Sequence, residues 1–333
     1  MTLVAAFSAN GIPALIGDIA LTRDAIRSLR KKAYIITQNL AIAWTGHAIV
    51  AKLVVSEMRE AFSALHPTKV DVERFFTRYQ VEDFGALHTN FIGWLVDDEA
   101  HCFRWNCLFP NEVFYETSFT DGSGEEYLKN LRREREQWEK GGSGLPSEEQ
   151  TVLSLINEVA HARFRETLDK NTWDISFGGS YDIIVYLAGR FRYVRSVIYI
   201  GWDYHWNSNT GTGKLQQAPL LIKHNCMGEF SVIQEALHGS YYNGKTTNYL
   251  SRPVYDNMDQ ADLSQFPLTI DSDYYANYFI FRENGKVPFK ILLTVQKITK
   301  EGPLRMKRKD GAYFLHYDTN LLDDIYRKHT TAC

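Results

Sequence analysis

The stretch TLVAAFSANGIPALIGD, residues 2–18, decides how the rest of the chain is read. Leu3-Val4-Ala5-Ala6-Phe7 is apolar, Ala9-Asn10-Gly11 is a turn, and Ile12-Pro13-Ala14-Leu15-Ile16-Gly17-Asp18 is apolar until its last residue. Two such runs joined by Asn-Gly read as a β-hairpin. Most chains begin with a frayed polar tail, whereas here Thr2 stands at the mouth of the first strand. Removal of Met1, expected when the next residue is small, would leave Thr2 with a free α-amine beside its hydroxyl. That pairing activates a weak nucleophile, because an α-amine titrates at about 7.7–8.0, close to operating pH. A nearby cation favours the neutral, basic form of the amine. Such a cation needs an anion to hold it, and Asp18 returns on the paired strand.

The remaining composition is that of an ordinary globular chain. Its 333 residues suffice for about two domains, and 44% apolar with 23% charged residues is not a disordered composition. A formal net charge of -3 gives no reason to expect nucleic acid or an anionic membrane as partner. Cys102, Cys107, Cys226 and Cys333 show no CxxC spacing, which argues against a zinc site or a disulfide framework and for a reducing compartment. No basic region precedes the first apolar run, and no window approaches a membrane span, so a cytoplasmic location is expected.

Along the chain, a charged connection from Thr22 to Lys32 leads to two short runs, Ala33–Ile36 and Leu40–Trp44. After Gly46, the residues Val50, Leu53, Val54, Met58, Ala61 and Phe62 recur at helical spacing, and Val70–Phe84 predicts a second helix. Asn90–Val96 and His101–Asn106 flank Asp97-Asp98-Glu99 as another hairpin, and Val113–Phe119 reads as one strand ending at Asp121-Gly122-Ser123-Gly124. A charged helix is expected over Glu125–Lys140, then a flexible Gly141–Gly144 break. Ser147 with Gln150 opens a further helix through a capping box, with Val152, Leu155, Ile156, Val159 and Phe164 on one face. Gly178-Gly179 leads into strands Tyr181–Leu187 and Phe191–Tyr199. Hairpins separated by paired helices make a layered α+β domain over residues 1–200. Residues 201–333 form an additional, mostly β C-terminal domain or extension, with a hairpin about Glu283-Asn284-Gly285.

These features resemble the proteasome β-subunit family, including the bacterial proteasome-like peptidase, within the N-terminal nucleophile hydrolases. The resemblance covers about residues 2–197. That family has an N-terminal Thr followed sixteen residues later by Asp, as Thr2 and Asp18 are, and a Lys fourteen residues before a Gly, as Lys32 and Gly46 are. Its Gly-Ser-Gly before a helix matches Gly122-Ser123-Gly124, with Tyr127 beyond, and its Asp before a Gly-Gly strand start matches Asp174 and Gly178-Gly179. The resemblance implies a four-layer αββα sandwich and a threonine-type amide hydrolase, a peptidase, that needs no metal and no organic cofactor. Thr2 would be the nucleophile and its amine the general base, with Lys32 tuning that amine and Asp18 orienting Lys32. The Gly46 N–H would supply the oxyanion hole, Ser123 and Asp174 would support the amine, and Trp44 would line a shallow acyl-side pocket.

The chain also departs from the pattern. Phe177 stands where the family commonly has Ser, with Ser176 one place earlier. The Asp18-to-Lys32 connection is two residues shorter than usual, so Lys31 competes with Lys32 for the lysine role. His47 directly after Gly46 is unusual. Two alternatives stay open: a catalytically inactive proteasome-like scaffold or partner-binding subunit, and a non-peptide amidase on the same fold. The expected partners are a peptide or other amide substrate, further copies of the chain in a homo-oligomeric ring, and an unfoldase or other protein. Nucleic acid and membrane are not expected. Gly211-Thr212-Gly213-Lys214 fails as a phosphate loop, because Ser208 replaces its first Gly and Leu215 its Ser/Thr. The basic run from Lys297 to Lys309 reads as a solvated hairpin or loop.

Overall fold

The computed structural model describes residues 3–23, 26–122, 147–168, 180–215, 220–236, 246–255, 272–283, 288–297, 304–309, 312–317 and 319–330. The protein is mixed α+β and mostly β. It divides into two compact units, Met1–Val194 with Cys226–Ser231 and Leu250–Ala261, and the remainder.

In chain order the first unit holds β1 (Leu3–Ala9), β2 (Ile12–Asp18), β3 (Ala20–Arg23), β4 (Ile26–Leu29), β5 (Ala33–Ile35) and β6 (Leu40–Gly46). Helices α1 (Ala48–Phe62) and α2 (Lys69–Thr77) follow, then β7 (Thr89–Val96), β8 (Ala100–Asn106), β9 (Val113–Glu116) and β10 (Ser118–Gly122). Helix α3 (Glu148–Leu168), β11 (Tyr181–Leu187) and β12 (Arg190–Tyr193) complete it. The Asn-Gly hairpin forms as its sequence predicts, with positive φ at both Asn10 and Gly11.

Two five-stranded antiparallel sheets result, one in the order β10-β1-β2-β11-β12 and one in the order β5-β6-β7-β8-β9. Strand alternation gives each sheet an apolar inner face, and those faces meet. Val4, Ala6 and Leu15 of the first pack with Ala33, Ala41, Ala43, Ile92 and Trp94 of the second. The alanines keep the sheets close, which sets how far a side chain must reach to cross from one to the other. On the other face of the second sheet, α1 and α2 bury Val50, Val54, Met58, Phe62, Val72, Phe75 and Phe76 against Trp44, Phe91, Phe103 and Trp105. Helix α3 packs on β11 with Val152, Leu155, Ile156 and Val159 buried. It opens on the expected capping box, Ser147 N–H to Gln150 Oε1 at 2.8 Å and Gln150 N–H to Ser147 Oγ at 3.2 Å.

Several element expectations change. The face of α1 runs through Ala51 and Val55, while Leu53 and Ala61 are exposed. The helix expected over Val70–Phe84 stops at Thr77, because the Asp83 carboxylate takes the N–H of extended Gln80 and starts a separate short 3-10 turn. Val113–Phe119 is two strands that pair in different sheets, since an apolar run does not specify whose edge it joins. The expected strand Phe191–Tyr199 likewise breaks after Tyr193 and restarts at Ser196. The charged connection contains the β3–β4 hairpin. The expected helix Glu125–Lys140 and the Gly141–Gly144 break lie outside the described residues.

The second unit is built on β13 (Ser196–Asn207), β14 (Thr212–Leu215), β15 (Leu220–Cys226), β16 (Ser231–Ala236), β17 (Thr246–Ser251), β18 (Tyr274–Glu283) and β19 (Pro288–Lys297). These pair as β17-β16-β15-β13-β18-β19, with β14 beside β13 and with β13 and β18 parallel. A separate hairpin, β20 (Leu304–Lys309) with β21 (Ala312–Tyr317), and helix α4 (Thr319–Thr330) follow. Leu322 and Tyr326 of α4 pack on Trp202, Tyr204, Phe279 and Phe281. Among the described residues, no helix is long and apolar enough to cross a membrane.

Candidate active site

The start of the first strand is held by a buried charge. The Leu3 N–H donates to Asp18 Oδ1 at 3.1 Å, and Lys32 Nζ donates to the same oxygen at 2.6 Å. Both side chains of the ion pair are fully buried. Gly17 makes this reach short, since a Cβ there would lie 3.0 Å from Ala33 Cβ of the facing sheet. Lys32 is fixed by its own backbone, whose carbonyl accepts the Trp44 N–H of β6 at 3.2 Å. Burial pulls the Lys32 ammonium below its ordinary 10.5, and Asp18 offsets only part of that pull.

Lys31 points elsewhere, as neighbours in an extended segment must. Its Nζ donates to Asp182 Oδ2 at 2.9 Å, Cys226 Sγ at 3.2 Å and Ser231 Oγ at 3.3 Å, and lies 4.3 Å from the Tyr193 ring centroid. Ser231 Oγ in turn donates to Asp182 Oδ1 at 2.6 Å. Burial alone would lower the Lys31 ammonium, but Asp182, Tyr193 and Cys226 together outweigh it and raise it above 10.5. The same burial, with Asp182, pushes the Cys226 thiol up to about 11, so the sulfur stays a thiol. Of the two lysines, the geometry brings Lys32 to Asp18 and the β1 terminus.

At the end of β6, Gly46 has φ +97°, and a Cβ would lie 2.2 Å from His88 O. Only glycine fits there without strain or displacement of β7. The next residue is anchored, with the His47 N–H donating to His88 O and to Thr89 Oγ1, each at 3.0 Å. Trp44 is fully buried in the helix-side core and donates its indole N–H to Lys31 O at 3.3 Å. Its side chain has no accessible surface. Thr2, Ser123 and Asp174 lie outside the described residues.

Sequence reasoning missed a polar row on the inner face of the second sheet. Thr45, Asn90 and Asn106 stand side by side in register across β6, β7 and β8. Beneath them, Ala43 and Ile92, then Ala41, Trp94 and Cys102, are apolar core, while Arg104 of β8 pairs with Ile92 and is half-buried. Thr45 Oγ1 crosses to the first sheet and donates to Asp121 Oδ2 at 2.6 Å, and Asp121 pairs with Val4. The available signal was the recurrence of one polar residue at the same end of three apolar strands, as Thr45-Gly46, Thr89-Asn90 and Asn106-Cys107. Among the described residues, two buried polar atoms at this end have no hydrogen-bond partner, His47 Nδ1 and Asn90 Oδ1.

Compared with known proteins, the chain matches no family model and no curated protein.

Proposed function

We propose that the protein is a threonine-type N-terminal nucleophile amide hydrolase, a peptidase, whose stacked sheets and flanking helices make the four-layer αββα sandwich of that class. The observation that carries this reading is the buried Lys32–Asp18 pair hydrogen-bonded to the N–H of Leu3, the residue directly after Thr2. A buried ion pair is weak evidence for stability, because desolvation offsets its attraction. One that holds a strand terminus and a low-pKa lysine beside a Thr is well suited to catalysis.

In this reading the Thr2 α-amine takes the hydroxyl proton as Oγ attacks the amide carbonyl. The Lys32 ammonium keeps the amine neutral at working pH, and the Gly46 N–H receives the oxyanion. Collapse breaks the C–N bond, the α-ammonium returns its proton to the leaving amine, and an ester on Thr2 remains. Water, deprotonated by the same amine, then releases the acid and restores Thr2. Ser123 and Asp174 are proposed to support the amine, and a homo-oligomeric ring to enclose the site.

The burial of Trp44 in the helix-side core favours a second reading, a catalytically inactive scaffold, since it leaves that residue no surface to offer an acyl side chain. Substitution at Thr2 separates the two. Thr2→Ala should abolish hydrolysis of peptide amides and Thr2→Ser should retain part of it. Equal turnover by wild type and Thr2→Ala would end the proposal.

A further inference from the structure

The Thr45–Asn90–Asn106 row is costly where it stands. One step deeper, Thr45 and Asn90 are followed by the apolar core residues Ala43 and Ile92, and Asn106 by the half-buried Arg104. Each buried polar group loses hydration that only a hydrogen bond restores. Two of the three are repaid within the protein. Thr45 has Asp121, while Asn106 accepts the Leu108 N–H at 2.7 Å and its Nδ2 lies 3.1 Å from His88 Nε2. Asn90, in the centre, is 3% exposed and its Oδ1 has no partner. Nearly all buried polar atoms in folded proteins are satisfied, so an exception needs a reason.

The position supplies one. Asn90 sits directly opposite Thr45, one residue along from the Gly46–Thr89 pair. Its neighbour Thr45 is tied to Asp121, which pairs with Val4 in the strand that begins just after Thr2. We infer that Asn90 is a substrate-binding residue, whose carboxamide oxygen accepts a hydrogen bond from an N–H of the bound amide. The inference rests on the amide-hydrolase reading and extends it to the chemical class of the ligand. Two observations favour a donor over an acceptor. The atom buried without a partner is an oxygen, and the Asp121 carboxylate beyond Thr45 is already occupied, accepting from Thr45 and from the Gly122 N–H at 2.8 Å.

A site built around an N–H acceptor discriminates against analogues that lack the N–H. The test is a fluorogenic peptide amide together with analogues in which each backbone N–H in turn is replaced by an ester oxygen. For the wild-type enzyme, one replacement should raise KM by about tenfold, the size of one lost hydrogen bond in a buried site. In Asn90→Leu, which removes the acceptor while keeping the branched shape, KM for the parent amide should rise by a similar factor. The sensitive replacement should then have no further effect, as two ends of one interaction require. Asn90→Leu should also melt no lower than wild type, because it removes an unsatisfied buried group. A structural role predicts the opposite, a lower melting temperature with unchanged KM, and that result overturns the inference. So does a wild-type enzyme indifferent to every N–H replacement, a measurement that needs no variant to fold. Turnover that survives with unchanged KM in Asn90→Leu defeats this inference alone. No turnover of any amide by wild type defeats the hydrolase reading, and this inference with it.

Discussion

Lys31 and Lys32 are adjacent in the chain and both fully buried, yet they meet opposite electrostatic surroundings. Lys31 is enclosed by Asp182, Ser231, Cys226 and the Tyr193 ring, which hold it as a permanent cation. Lys32 meets Asp18, whose same oxygen also accepts the Leu3 N–H, and burial wins over attraction there. The difference comes from the shape of each surrounding. A carboxylate braced by a hydroxyl stabilises a charge fully, while a carboxylate shared with a backbone N–H leaves the lysine easier to deprotonate. The first arrangement fits a structural staple and the second a tuned functional group.

Substitution of each lysine separates these roles. Lys32→Met should lower amide hydrolysis by about 10²- to 10⁴-fold, the range for loss of acid–base tuning, in protein that stays folded by circular dichroism. A folded Lys32→Met with wild-type turnover would make the two lysines equivalent and erase the contrast. Lys31→Met should act on stability, costing about 3–5 kcal/mol in denaturant unfolding because Asp182 is left buried without its cation. Hydrolysis per folded molecule should change little.

Titration gives a smaller effect with opposite signs at the two positions. Lys32 binds its proton less tightly folded than unfolded, so the unfolded chain holds more protons below 10.5 and stability rises as pH approaches that value. Lys31 binds its proton more tightly folded, so its contribution is complete below 10.5 and is lost as pH climbs above it. Each slope is at most about 1.4 kcal/mol per pH unit for one proton. Unfolding free energies measured from pH 8 to 12 should show Lys32→Met flattening the rise and Lys31→Met flattening the decline. The smallest effect belongs to Trp44→Phe, which removes the indole N–H from Lys31 O and should cost about 1 kcal/mol of stability in the same denaturant assay. A cost near zero there would mean that the indole does not help fix the segment carrying both lysines.

Local chemistry was the legible part. Asn10-Gly11 specified the first hairpin, Ser147 with Gln150 specified the start of α3, and the family resemblance set Asp18 beside Lys32, where the structure has them paired. Long-range partners were not legible. Cys226 and Ser231 reach Lys31 from about 200 positions away, and Arg252 O receives the Lys31 N–H at 2.8 Å. No periodicity encodes such returns of the chain. The polar row escaped notice for a related reason, since Thr45, Asn90 and Asn106 are single residues on three separate strands. Only the β6-β7-β8 register brings them together. The resemblance cast Trp44 as a pocket wall, and nothing in the sequence signalled that α1 and α2 would cover its face of the sheet.

The central claim is that the Lys32–Asp18 pair serves a free N-terminal Thr2. Its most direct test is mass spectrometry of the N-terminus before and after treatment with a peptide epoxyketone, a reagent that captures an N-terminal Thr through both its hydroxyl and its amine. Wild-type protein should begin at Thr2 and gain one adduct there, and folded Lys32→Met should begin at Thr2 but react far more slowly. Retention of Met1 in the native protein, or equal labelling of wild type and Lys32→Met, would contradict the account.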